Sequence, residues 1–317
     1  MHVLVTGGAG FIGSNLVSRC LAEGWYVDTV DDLSNGHLEF VPHWQPVITK
    51  DFADPDVLHE VKQGRYDVVF HLAAVPRVSY SVEHPLETNH TNVSRTLALM
   101  DACRGNVKRF VFASSSSVYG GADVLPTNEA SPRDPKSPYA MQKAHVEDYL
   151  KLYHELYGLE SVALRFFNVF GENQLGDSPY ATAISAWLTA IKKGVPLRSD
   201  GDGSQSRDMC YVDNVTDACV RAGSMLNPLG ASCINVACGD RTTNREILMA
   251  LSKRYTNATV VTAPWRAGDV MHTQADVSKA KLLLGYVPIV RFREGFERTC
   301  DWFDANWDWI KDMRLNK

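Results

Sequence analysis

An apolar run, Val3-Leu4-Val5, leads without a break into Thr6-Gly7-Gly8-Ala9-Gly10-Phe11-Ile12-Gly13. Beyond it the hydrophobic period changes. Leu16, Val17, Cys20 and Leu21 share one face of a helix predicted over Ser14–Glu23. The alternation then recurs, with strands predicted at Val3–Thr6, Tyr26–Val30, Asp67–Leu72, Arg109–Ala113 and Ser161–Phe166. Helices are predicted near Asp56–Gln63, Asn89–Arg104 and Ala140–Tyr157. Strands that are apolar on both faces and separated by helices predict a parallel sheet covered on both sides.

After Gly171 the rhythm breaks. Segments rich in Gly, Pro, Asp and Ser, 171–180 and 194–208, read as loops around a helix near Ala181–Lys193. Met209–Met225 and Cys233–Ala237 read as a return to the sheet. Further helices are predicted near Arg245–Arg254, Ser278–Leu284 and Phe292–Trp309. The expected fold is α/β: a doubly wound parallel sheet over 1–170, with a return near 209–237. A smaller C-terminal α/β lobe is expected from 171–208 and 238–317, and the site in the cleft between the two.

Composition narrows the class. The 317 residues carry a formal charge of −5 and no long basic run, which argues against a nucleic-acid partner. No apolar stretch approaches the ~18 residues of a membrane span. The N-terminal run reads as strand and turn and not as a secretory leader. Seven cysteines without C-x-x-C spacing are expected as reduced thiols, which fits a cytoplasmic protein. The histidines are scattered, and no metal site is expected.

The glycines carry the first chemistry. Gly7, Gly10 and Gly13 follow a strand and open a helix, so the backbone turns tightly and approaches a pyrophosphate at the helix N-terminus. This is a Rossmann-type dinucleotide turn. Asp31 ends the second strand, 18 residues past Gly13, where a carboxylate accepts hydrogen bonds from both adenosine ribose hydroxyls. It would repel a 2′-phosphate, so NAD is expected over NADP.

Tyr139 and Lys143 stand at i and i+4, behind Pro138, on one helix face. A free phenol, with a pKa near ~10, is a poor base at neutral pH. A neighbouring ammonium favours the phenolate, and the positive nicotinamide adds to the effect. Tyr139 is then suited to take a hydroxyl proton while hydride leaves the same carbon. The same spacing occurs in many unrelated helices. Behind this nucleotide turn and the run Ser114-Ser115-Ser116-Ser117, it points to alcohol oxidation.

Together these motifs resemble an extended short-chain dehydrogenase/reductase, and most of all the UDP-sugar 4-epimerases. The likeness extends through His71-Leu72-Ala73-Ala74, Ser115-Ser116-Ser117-Val118-Tyr119-Gly120 and Arg165-Phe166-Phe167-Asn168-Val169-Phe170-Gly171. It continues in Gly201-Asp202-Gly203-Ser204-Gln205-Ser206-Arg207-Asp208, Arg266-Ala267-Gly268-Asp269 and Ala275-Asp276-Val277-Ser278-Lys279.

The resemblance implies roles. Ser115 would hydrogen-bond the reacting sugar hydroxyl and relay its proton to Tyr139, with Ser116 beside it. Lys143 would also reach the nicotinamide ribose. Phe11 and Ile12 would offer N–H groups to the NAD pyrophosphate, and Asp51 and Phe52 would flank the adenine. Asn35, Leu72, Ala73, Ala74 and Phe166 complete the cofactor contacts. Asn168, Arg207 and Arg266 would hold the substrate diphosphate, with Asp269 nearby. Thr273, three before the Asp of A-D-x-S-K, would line the sugar pocket. There a tyrosine restricts relatives to glucose and galactose, while a small residue admits a 2-acetamido group.

Two positions depart from the pattern. Arg77 replaces a small residue after the H-L-A-A turn, and Ser199-Asp200 replaces an apolar-aromatic pair before the G-D-G loop. The resemblance therefore implies an NAD-dependent 4-epimerase of a UDP-sugar that passes through a 4-keto sugar, and a homodimer. Dehydratases of this kind need an acid pair where Ser116 and Ser117 stand, decarboxylating relatives need a Glu beside the Ser, and NADPH reductases prefer a base near Asp31. Another nucleotide-sugar dehydrogenase or a non-catalytic dinucleotide sensor are the alternative readings.

Overall fold

The structure is a computed structural model that describes residues 1–121, 124–176, 182–265 and 270–313. The chain begins β1 (His2–Thr6), α1 (Phe11–Ala22), β2 (Tyr26–Val30), β3 (Val47–Ile48), α2 (Pro55–Lys62) and β4 (Val68–His71). It continues to β5 (Arg109–Ser115), the long helix Pro138–Tyr157 and β6 (Ser161–Phe166). With the strand Ser232–Val236 these form a seven-stranded sheet in the order Ser232–Val236, β6, β5, β4, β1, β2, β3. All neighbours are parallel.

Alternate residues of each strand feed opposite faces. Val3, Val5, Phe70 and Leu164 meet Leu16 and Val17 of α1 and Val215 of helix Val212–Ser224. On the other face, Leu4, Val69, Phe110 and Phe112 meet Val57 of α2, Leu99, and Val146 of the long helix. Both faces are covered, which is why the central strands read as continuous apolar runs. Burying each such side chain contributes roughly 1.5–3 kcal/mol.

Three local readings change. The predicted helix Asn89–Arg104 is interrupted: Pro85–Asn89 is followed by a π-helical turn, His90–Arg95, and then by Thr96–Cys103. Within the turn Asn92 is buried, donating to Val75 O and Gln142 Oε1 and accepting from Val75 N–H. Segment 194–208 is not wholly loop. Leu197–Asp200 pairs in parallel with Val260–Ala263, and Ser206–Arg207 pairs antiparallel with Thr242–Thr243. Its buried positions include Ser199, so apolar periodicity could not reveal the strand. Two-residue β3 is too short to show a pattern.

The C-terminal elements bury a second core, with Trp187, Tyr211, Ile247, Phe296 and Phe303 at its centre. Strands Val169–Phe170 and Cys210–Tyr211, paired in parallel, run between this core and the main sheet.

Candidate active site

The glycine turn folds back on itself. Gly7 has φ +70°, and a Cβ at Gly13 would lie 1.9 Å from Gly7 O. A Cβ at Gly7 would meet Ala73 N at 2.7 Å, so the turn also packs against the loop after β4. Helix α1 starts at Gly10 with no side-chain cap. Phe11, Ile12 and Gly13 line a cleft of about 400 Å³, which leaves uncapped N–H donors and close backbone approach for an anion.

Asp31 directly follows β2 and faces the same cleft, which Asn35 also lines. Its Oδ2 accepts from Ala9 N–H and its Oδ1 from Leu33 N–H, both at 2.9 Å. Burial pushes this carboxyl above its ordinary value, and the two N–H bonds pull it back. Each oxygen keeps a lone pair for a ribose hydroxyl, and a 2′-phosphate would face a buried carboxylate. A dinucleotide with an unmodified ribose fits these residues.

Leu72, Ala73, Ala74, Phe52 and Arg95 line the cleft further on. Asp51 accepts from Arg95 Nη1 and from Ala53 N–H, both at 2.8 Å, so it orients a residue of the cleft wall. Phe166 ends β6 buried, opposite Ser115 in register. His71 lies beneath the H-L-A-A turn between Thr6 Oγ1 at 2.7 Å and Thr96 Oγ1 at 2.8 Å. Complete burial pushes it down to about 3, so it is a neutral strut.

Ser115, Tyr139 and Lys143 converge. Ser137 caps the long helix by accepting from Ala140 N–H at 3.2 Å, and Pro138 opens the first turn, placing Tyr139 at the start of the buried face. The Ser115 hydroxyl lies close enough to the Tyr139 phenol to lower its pKa, and Ser115 Oγ accepts from Ser117 N–H at 3.2 Å. Ser116 begins the short turn that follows β5. Burial pushes the Tyr139 phenol up to about 12, against the pull of Ser115. Lys143 Nζ donates to Ala113 O at 2.7 Å and lies 5.8 Å from the Tyr139 ring centre. Burial pushes Lys143 down to about 7, against the pull of Glu147. The site therefore holds a phenol, a hydroxyl relay and a cation of adjustable charge.

Arg77 lines the cleft as N-cap of helix Val78–Glu83. One turn later Ser81 Oγ accepts the Tyr139 N–H at 3.0 Å, which ties that helix to the start of the long helix.

On the far side, three separate motifs meet. Thr273 Oγ1 donates to Asn168 Oδ1 at 3.4 Å and accepts from Asp208 N–H at 3.2 Å. Arg207 Nη1 donates to the carbonyls of Ser206 at 3.0 Å and Met271 at 3.2 Å. Asp208 was not expected. Its carboxylate accepts the N–H groups of Cys238, Gly239 and Ala275 at 2.9, 3.0 and 3.0 Å and so fixes two loops. Arg266 and Asp269 lie outside the described residues.

A family model described as "NAD dependent epimerase/dehydratase family" matches residues 3–237. The chain belongs to that family. Among its relatives, a UDP-glucose 4-epimerase of Mycolicibacterium smegmatis is 36% identical, over 96% of this chain and 98% of the relative. A solved UDP-N-acetylglucosamine 4-epimerase of Methanobrevibacter ruminantium, in complex with UDP-N-acetylmuramic acid, is 37% identical with a TM-score of 0.89. That match covers 96% of this chain and 98% of the other. A Thermus thermophilus UDP-glucose 4-epimerase in complex with NAD is 35% identical, with a TM-score of 0.86 over 96% and 99% of the two chains.

This member of the epimerase/dehydratase family is thus an NAD-dependent enzyme of the UDP-sugar 4-epimerase kind, and its sheet is the Rossmann type. Among the described residues no group of three or more His, Cys, Asp or Glu is placed to hold a metal ion. None of their helices is long and apolar enough to cross a membrane.

Proposed function

We propose that the enzyme interconverts the C4 epimers of a UDP-sugar and accepts the N-acetylglucosamine/N-acetylgalactosamine pair, beside or in place of glucose/galactose. The meeting of Ser115, Tyr139 and Lys143 beside Ala113 of the cleft wall carries this reading. Bound NAD supplies the hydride acceptor and donor. The glycine turn holds the pyrophosphate and Asp31 the ribose. Tyr139 removes the sugar 4-hydroxyl proton through Ser115, and the Lys143 ammonium favours the phenolate. Asn168, Arg207 and Arg266 hold the diphosphate, so the 4-keto sugar is free to turn and receive hydride on its other face. Thr273 is small and leaves room for a 2-acetamido group during that turn.

In this reading 1–170 with 209–237 carries the cofactor, and 171–208 with 238–317 closes over the nucleotide sugar. A cytoplasmic homodimer fits the chain. Leu152 and Leu156 are exposed on the long helix Pro138–Tyr157, which would pair together with the helical stretch 89–104, and light scattering in solution tests the dimer. For the reaction, the purified protein is incubated without added NAD with UDP-glucose, UDP-galactose and their N-acetylated counterparts. Separation of both epimers from each starting sugar is expected. No conversion of any of the four would overturn the reading.

A further inference from the structure

Tyr139, Lys143 and Glu147 occupy successive turns of one helix face. Each meets a different residue at the end of β5. Tyr139 meets the Ser115 hydroxyl, Lys143 the Ala113 carbonyl at 2.7 Å, and Glu147 Oε1 accepts from the Ser114 hydroxyl at 2.6 Å. The first two serve the reaction proposed above. Glu147 has no part in that reaction, yet its side chain is only 2% exposed.

Arg165 of β6 grips both of its oxygens, through Nε at 2.8 Å and Nη2 at 2.7 Å, and Arg133 approaches at 3.4 Å. Arg165 Nη1 donates to Tyr119 Oη at 2.7 Å, and Tyr119 donates to Asn235 Oδ1 at 2.7 Å. Asn235 Nδ2 in turn donates to Asp276 O at 3.3 Å. One run of hydrogen bonds therefore joins the turn after Lys143 to Asp276, in the irregular segment that follows Thr273. A buried ion pair is a poor stabiliser, because desolvation offsets most of the attraction. Its bidentate geometry, however, fixes position closely.

We infer that Glu147 is a positioning residue for this epimerase: held by Arg165 and Ser114, it sets the register of the Tyr139–Lys143 helix against β5. The inference rests on the proposed reaction. Its charge also matters. Lys143 faces Tyr139 and Glu147 on its own helix, neutral His71 on β4, and Phe112 and Ala113 on β5. Glu147 is the partner that counters the burial of the ammonium, and it faces Ser114, Arg165, Arg133 and Cys233.

The test compares Glu147→Gln, Glu147→Asp and the double variant Glu147→Met/Arg165→Met, all as NAD-loaded protein. Glu147→Gln is expected to lose about tenfold to hundredfold in kcat, as a small misplacement does. KM should move by less than about threefold and the NAD content not at all. Its pH–kcat bell should narrow from both sides. Tyr139 gives up its proton later beside a less charged Lys143, and Lys143 loses its own proton earlier. Glu147→Asp should recover part of kcat.

The double variant removes both members of the buried Glu147–Arg165 pair together, so it keeps the test open if Glu147→Gln does not fold. It should retain NAD and stay slow. Wild-type turnover in the same assay separates the two readings, since its absence would sink the reaction itself. With the wild type active, a double variant matching it in kcat and in both limbs of the bell would overturn the positioning role.

Discussion

Thr273 Oγ1 donates a hydrogen bond to Asn168 Oδ1 at 3.4 Å across 105 residues of sequence. The residue assigned to the sugar pocket therefore touches the residue assigned to the diphosphate. In the proposed reaction, a ring turning over at Thr273 would do so with its nucleotide end held one side chain away. Replacing Thr273 by tyrosine fills the space beside Asn168. Thr273→Tyr should lower kcat/KM on the N-acetylated pair at least about tenfold more than on the plain pair, the scale of steric discrimination in a pocket. Parallel kinetics on both pairs check it, and equal losses would return Thr273 to a scaffold role.

Tyr139→Phe removes the proton acceptor and leaves the packing of the ring. Turnover should fall by roughly a hundredfold to ten-thousandfold, the usual contribution of a general base. NAD should remain bound, because the glycine turn and Asp31 are untouched. Cofactor released on denaturation, measured beside epimer formation, decides this. Near-normal turnover would assign the base elsewhere.

Much of the sheet was legible because its central strands are buried on both faces and carry almost only apolar residues. The interruption at His90–Arg95 was not legible, since a π turn leaves no mark on hydrophobic period. Leu197–Asp200 was missed because Ser199 occupies a buried position. Tyr139, Lys143 and the glycines could be read because their chemistry demands a fixed spacing. Glu147 could not, for a carboxylate on an amphipathic helix reads as a solvated residue until Arg165 of β6 is brought against it. Asp208 was equally hidden, as its partners are backbone N–H groups from two distant loops.

Asp31 should make the enzyme selective for NAD. After the cofactor is stripped, NAD should restore epimerisation and NADP should not, at equal concentration. Asp31→Asn removes the charge that faces the 2′ position, so it should narrow that gap. Equal rescue of the wild type by both would show that the carboxylate does not meet the ribose.

Lys143 should be a burden on stability. It sits at about 7 in the fold against an ordinary 10.5, so folding disfavours its ammonium. The penalty is complete below pH 7, shrinks as pH rises through that value, and is gone above 10.5. Lys143→Met should therefore be more stable than the wild type near pH 6, on the order of a few kcal/mol, with the difference fading toward alkaline pH. Turnover should be lost in exchange. Denaturant unfolding at several pH values tests this, and a constant difference would refute it.

The backbone around Thr273 is held at several points that do not involve its side chain. Ser206 O accepts the Thr273 N–H at 3.1 Å, and Asp208 accepts the Ala275 N–H at 3.0 Å. Asn235 holds the Asp276 carbonyl from behind. This stretch behaves as a socket into which different side chains can be plugged without rebuilding the wall. If Thr273 lines the sugar pocket as proposed, one codon exchanges one sugar preference for another while the chemistry proposed for Tyr139 is left alone.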